Sequence, residues 1–152
     1  MINRDSHIVN GLGYWTKVLA PEKRFVDPTK GPEEEQWFYT TKLLLTDPSE
    51  IERMQGLNIE LRTNDDWAEG HKYITCNRRY QIKGKPKPTP VLIDENKEPG
   101  TIEPGNESPL TVQFKRYSSR GKFFCELEIV QYDSQTVKLY EEESDPVDLS
   151  QF

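Results

Sequence analysis

The chain has 152 residues, 34% apolar and 30% charged, and a formal net charge of −6. That length favours one domain able to bury a core, although the apolar share lies below the globular norm. Apolar residues come in short bursts, the opening MINRDSHIVN lacks a signal-type apolar run, and Cys76 and Cys125 are too few for a disulfide scaffold or four-thiolate zinc site. The expectation is therefore a reduced, cytoplasmic chain without a membrane-spanning helix.

Residues 1–12 read as an irregular lead-in. GYWTKVL (13–19) is β-prone, and Pro21, Pro28, Gly31 and Pro32 then punctuate a loop ending in Glu33–Glu35. QWFYTTKLLL (36–45) predicts a strand, rich in aromatic and β-prone residues. It stops at Asp47-Pro48, where Asp47 can cap a helix, Pro48 suits its first position and Glu50 completes a capping box. Ile51, Met54 and Leu57 give that short helix one apolar face. Residues 58–70 fit a helix or irregular structure.

HKYITCNRRYQI (71–82) has β-propensity with mixed alternation. The three prolines of GKPKPTP (84–90) bar a central strand and predict a polyproline-like connector. VLID (91–94) reads as a short buried run and 95–108 as a polar loop. In LTVQF, Leu110, Val112 and Phe114 face one side, opposite Thr111, Gln113 and Lys115. SSRG makes a turn. FFCELEIVQ then alternates, with Phe123, Cys125, Leu127 and Ile129 inward and Phe124, Glu126 and Glu128 outward. TVKLY (136–140) is the last β-prone piece. Short strands, Gly/Pro-rich turns and one helix predict an all-β barrel or sandwich with the helix inserted between strands.

The charge is segregated. Residues 141–152 hold Glu141, Glu142, Glu143, Asp145 and Asp148 and no base, which leaves −1 for residues 1–140. Two windows carry no acid at all. Residues 71–93 contain Lys72, Arg78, Arg79, Lys83, Lys85 and Lys87, and residues 109–125 contain Lys115, Arg116, Arg120 and Lys122.

Enzyme signatures are absent: no Walker loop, no GxGxxG, no GxSxG elbow, and only His7 and His71 for acid–base or metal work. Asp65, Asp66, Glu69 and His71 form one acidic cluster that a metal-dependent nuclease could use, against the plainer reading of a polar turn. Cys76 and Cys125 read as small core residues. The chain is read as no enzyme, with no cofactor and no metal.

Binding a single nucleic-acid strand needs cations along a groove and flat aromatics under the bases. Both basic windows supply them. Tyr73 and Tyr80 interleave with the first set of cations, and Phe114, Tyr117, Phe123 and Phe124 with the second. Phe114 and Phe123 lie on the inward register and read as core. For Tyr73, Tyr80, Tyr117 and Phe124, and for Trp37 and Tyr39 on strand 36–45, stacking on bases and packing in the core both remain open. The acidic C-terminus ends in Phe152, offering negative charge with a terminal apolar anchor. It could dock a basic pocket on a partner or compete for the protein's own groove.

The acidic end with its terminal Phe resembles the tails of replicative single-stranded DNA-binding proteins. Further residues point the same way: Gly13-Tyr14-Trp15-Thr16-Lys17-Val18 with Pro21, Phe38 to Leu45, GKPKPTPVLID, IEPGNESPLTVQF, GKFFCELEIVQ and VKLYEE. Together they resemble the OB-fold single-stranded DNA-binding proteins of tailed bacteriophages, over roughly residues 13–152. The pattern departs at Asn106-Glu107, where the family has a tighter glycine-serine junction. The resemblance implies a five-stranded OB barrel over residues 1–140 and a flexible acidic tail over 141–152. It implies a protein that coats and protects single-stranded DNA during phage DNA replication or recombination, largely without sequence choice, in the cytoplasm of the bacterial host. It also implies replication partners, a polymerase or helicase/primase, engaged through the tail, and leaves room for a homodimer or a cooperative array. Two other readings compete: a protein-interaction module acting through the tail, and an OB-fold binder that prefers RNA.

Overall fold

The computed structural model describes residues 5–23 and 27–139. Strand β1 (Ser6–Glu22) runs into a loop with two short 3-10 turns, Pro28–Lys30 and Glu33–Gln36. Strand β2 (Phe38–Leu45), helix α1 (Pro48–Gly56) and strand β3 (Lys72–Arg79) follow. Next come two-residue strands β4 (Gln81–Ile82) and β5 (Lys85–Pro86), then β6 (Val91–Ile93). Strands β7 (Ser108–Ser119) and β8 (Lys122–Tyr132) complete the set.

The main sheet has the order β3-β2-β1-β7-β8-β6, and β3 also pairs with β8, so five strands close into a barrel. Closure is narrow. The β3–β8 seam is parallel and consists of Cys76 opposite Cys125 and Asn77 opposite Glu126. Where β8 has diverged, Tyr73 instead exchanges both backbone hydrogen bonds with Arg62, at 2.9 Å each. This ties the irregular segment 58–70 to the barrel wall.

The inward stripe is what alternation demands. Leu43, Leu45, Ile74, Cys76, Val112, Phe114 and Leu127 are buried in one cluster, and Met54 of α1 joins them. Asp47 caps α1 by accepting from Ser49 N at 2.9 Å. Glu50 does not complete a capping box. Its carboxylate turns inward, accepts from Asn10 N at 3.0 Å and pairs with Arg53 at 2.7 Å, which anchors the helix to β1.

The structure corrects several sequence expectations. Residues 6–12 are not a lead-in; they pair continuously with β7, from Ser6 opposite Lys115 to Leu12 opposite Pro109. The proline-rich connector contains a hairpin, β4 with β5, in which Pro86 sits at an edge. Lys83 and Gly84 both have positive φ (51° and 75°), as a two-residue type I′ turn requires. The β7–β8 turn is likewise only Arg120-Gly121 (φ 54° and 78°), so both strands run closer to the tip than the SSRG reading allows. Ile129 is not inward. The pairing skips Glu128 between Leu127 and Ile129, and the bulge reverses the phase so that Val130 and Tyr132 fill the core. Of VLID only Leu92 is buried, while Val91 is exposed. The described part of TVKLY makes no strand, only a single bridge from Leu139 to Pro104.

Candidate nucleic-acid interface

Side-chain parity decides what reaches the outer face of β2 and β3. Odd positions of β2 (Tyr39, Thr41, Leu43) point into the barrel and even ones (Phe38, Thr40, Lys42) outward. Their partners on β3 are Arg79, Asn77 and Thr75. Thr40 donates to Asn77 Oδ1 at 2.5 Å, fixing the middle of this face. Beside it, the β7–β8 hairpin projects Tyr117 and Phe124 from directly opposed positions. Their rings stack at 5.5 Å with 26° between planes, and both remain exposed, 43% and 41%.

Between the strand face and this hairpin lies an open groove of about 580 Å³, with Phe38, Asn77, Arg79, Lys87, Tyr117, Phe124 and Glu126 among its walls. Partial burial, reinforced by the Glu126 carboxylate, holds the Tyr117 phenol above its ordinary range, with Arg79 acting the other way. Arg79 is exposed here. A second cavity of about 510 Å³, near α1 and the end of β8, is lined by Asp47, Glu95 and Asp133 and by no Lys or Arg. Its sign is wrong for phosphate.

The structure divides the residues that the two basic windows offered. Tyr39 and Tyr73 are corrected from stacking candidates to core residues, at 4% and 7% exposure. Tyr39 points inward by parity, and Tyr73 is covered by Tyr14, Leu44, Ala68 and Trp67. Tyr80 is half-buried between Trp37 (5.4 Å) and Tyr39 (6.3 Å), and Lys23 Nζ lies 4.1 Å above the Trp37 ring. These aromatics brace the β1–β2 loop against the barrel.

Arg78 is not available as a phosphate cation. Its Nε donates to the Leu127 carbonyl at 2.6 Å, Nη1 to Pro88 O at 3.1 Å, and Nη2 faces Glu126 at 3.5 Å. Arg116 shares its inward parity and lies 3.9 Å over the Phe123 ring. Lys87 Nζ is paired with Glu126 at 2.8 Å. Lys72 stands opposite Leu45, at the other end of β3 from Arg79. Lys115 is half-buried on β7, opposite Ser6 and Glu126. Lys83 and Lys85 on the β4–β5 hairpin, and Arg120 and Lys122 on the β7–β8 hairpin, are exposed on either side of the groove.

Phe38 and Asn77 went unnoticed in the sequence, because their role follows from pairing and parity rather than from charge. Asp65, Asp66, Glu69 and His71 are exposed, and among the described residues no three His, Cys, Asp or Glu side chains converge as a metal site requires. Glu141, Glu142, Glu143, Asp145, Asp148 and Phe152 lie outside the described residues. Among the described residues no helix is long and apolar enough to cross a membrane.

A five-stranded barrel closed in the order β1-β2-β3-β8-β7, with the last pairing to β3 parallel, is an OB-fold. That architecture typically binds oligonucleotides or oligosaccharides on the face of its second and third strands. Solved structures of this class match most of the chain. The single-stranded DNA-binding protein from bacteriophage Enc34 matches with a TM-score of 0.61 at 10% sequence identity, over 97% of this chain and 90% of that one. The same phage protein in complex with single-stranded DNA matches at 0.58 and 11% identity, over 84% and 85%. gp2.5, a single-stranded DNA binding protein encoded by bacteriophage T7, matches at 0.60 and 14% identity, over 97% and 99%. At these identities the likeness is one of fold. No protein-family model and no curated protein matches the chain.

Proposed function

We propose that this protein binds single-stranded DNA along the outer face of β2 and β3, coating it during phage DNA replication or recombination without reading its sequence. The stacked, exposed pair Tyr117 and Phe124 beside Arg79 carries the reading. Nothing in the fold requires two large aromatic rings to stand in water, and a base offers each the apolar contact that solvent does not. Ring stacking and charge contacts of this kind act on every base alike, which fits a sequence-tolerant binder. The barrel acts as a binder, not an enzyme, and the host cytoplasm is where it would meet replicating DNA. Residues 141–152, with five acids and Phe152, would engage a polymerase or helicase/primase.

Titrating labelled oligo-dT and its duplex across a salt series tests this. Arg79, Lys83, Lys85, Arg120 and Lys122 are the exposed cations flanking the groove. At about 0.7 per phosphate on single strands, they predict a log–log salt slope of about −3.5, and the stacking rings predict a clear preference over duplex. Equal affinity for duplex, or a flat salt response, would overturn the assignment. An oligo-rU arm reads the RNA preference directly.

A further inference from the structure

Trp15 is the one large side chain whose placement β1 obtains through backbone strain. Before it, Val9, Gly11 and Gly13 face the barrel interior; after it, Thr16 and Val18 do. The phase changes because the β1–β2 register shifts between Tyr14 and Lys17: Tyr14 pairs with Lys42 and Lys17 with Thr40, so Trp15 and Thr16 oppose Thr41 alone. The bulge places Tyr14 and Trp15 both on the outer face. Trp15 carries it at φ 47°, the left-handed region that bulges normally reserve for glycine. Its backbone N–H donates to Asn106 Oδ1 at 2.8 Å, so the strained turn is held from the facing loop. Strain retained in this way points towards function.

The indole so displayed remains 37% exposed. It meets Trp67 in a T-shaped contact at 5.0 Å and 84°, and Lys42 Nζ lies 5.3 Å from its ring centroid. Lys42 belongs to the same outward row as Thr40 and Phe38. Four residues of strand, about 13 Å, therefore separate this cluster from the groove at Phe38. Beyond it, Trp67 and Ala68 cover Leu44 and Tyr73, and the row ends.

We infer that Trp15 and Lys42 form a second nucleotide subsite, at the end of the β2–β3 face away from the hairpin pair, with a base on the Trp15 indole and its phosphate on the Lys42 ammonium. The inference rests on the reading of this face as a single-strand path. On the Tyr14 side stand Glu69 and Glu107; Glu107 accepts from the Tyr14 hydroxyl at 3.3 Å and is already paired with Lys138 at 3.2 Å. Lys42, the cation against the indole, is therefore the group that offers a phosphate its charge at this end of the face.

Oligo-dT of about 4 to 16 nucleotides, the range of sites found on such barrels, tests the subsite by length. Trp15→Gly removes the ring at a position whose backbone favours glycine, so the barrel should still fold. It should weaken binding of the longer oligonucleotides about 5- to 150-fold and leave the shortest unchanged. Trp15→Phe should restore most of the loss, and Lys42→Ala should flatten the salt slope by about 0.7 on long oligonucleotides only. If wild type binds and Trp15→Gly binds equally at every length, the subsite is overturned and the groove stands. A uniform loss at all lengths that Trp15→Phe does not restore would also overturn it, as a structural effect. If wild type binds no oligo-dT, both readings fall.

Discussion

Glu126 on the groove wall stands between two cations, 2.8 Å from Lys87 Nζ in the groove and 3.5 Å from Nη2 of the enclosed Arg78. Its carboxylate holds the charge of Lys87 that a phosphate in the proposed groove would otherwise meet. Removing its charge in Glu126→Gln should release Lys87, raise oligo-dT affinity at low salt and steepen the log–log salt slope by about 0.7. Unchanged affinity in a fluorescence titration would mean that Lys87 lies off the path. Adjacent arginines should separate cleanly in the same assays. Arg79→Ala should lose DNA affinity with little change in melting temperature. Arg78→Ala should lower stability by about 2 kcal/mol, because it leaves the carbonyl of buried Leu127 and that of Pro88 without their donor, and affect DNA less.

At the scale of elements, β1 is set by close approach as much as by pattern. A Cβ on Gly13 would stand 2.2 Å from Leu110 Cδ1 and 3.1 Å from Thr16 Oγ1, inside the packed core. Gly13→Ala should therefore destabilise by about 1–3 kcal/mol in denaturant melts. Gly56→Ala on α1 meets nothing within 4 Å and should be neutral or better. The β3–β8 seam is the weakest closure of the barrel. Its two cysteines face each other there, and the Cys76 thiol is pushed well up by its hydrogen bond to Cys125 and by burial. Both thiols should resist alkylation at neutral pH in the folded protein. Labelling that follows mild denaturant before global unfolding would mark the seam as the first element to open; labelling at the rate of a free peptide thiol would contradict its burial.

Across the whole molecule, charge is separated between the body and residues 141–152, which hold −5 of the net −6. Acids tethered to a body that carries a cationic groove can act at an effective concentration reaching the millimolar range, so they should compete with DNA even through weak contacts. Deleting residues 141–152 should raise oligo-dT affinity, and the gain should shrink as salt screens it. Equal affinity of full-length and truncated protein at low salt would leave partner recruitment as the role of that segment.

The all-β class, the helix start at Asp47-Pro48 and the inward stripe Leu110, Val112, Phe114 are legible in the residues alone, because these depend on local alternation and capping chemistry. The sequence also places Tyr117 and Phe124 among cations, which composition suffices to reveal. Which of the interleaved residues face the groove depends on strand pairing across the closed barrel. Arg78 and Arg79 are neighbours in sequence, yet parity sends one to the Leu127 carbonyl and the other to solvent. Tyr73 has outward parity and is still buried, because segment 58–70 folds over it. The bulges at Trp15 and at Glu128 each reverse the alternation by one residue. A bulge arises from the unequal strand paths of a closed barrel, a long-range constraint that a period-two reading of one strand does not contain.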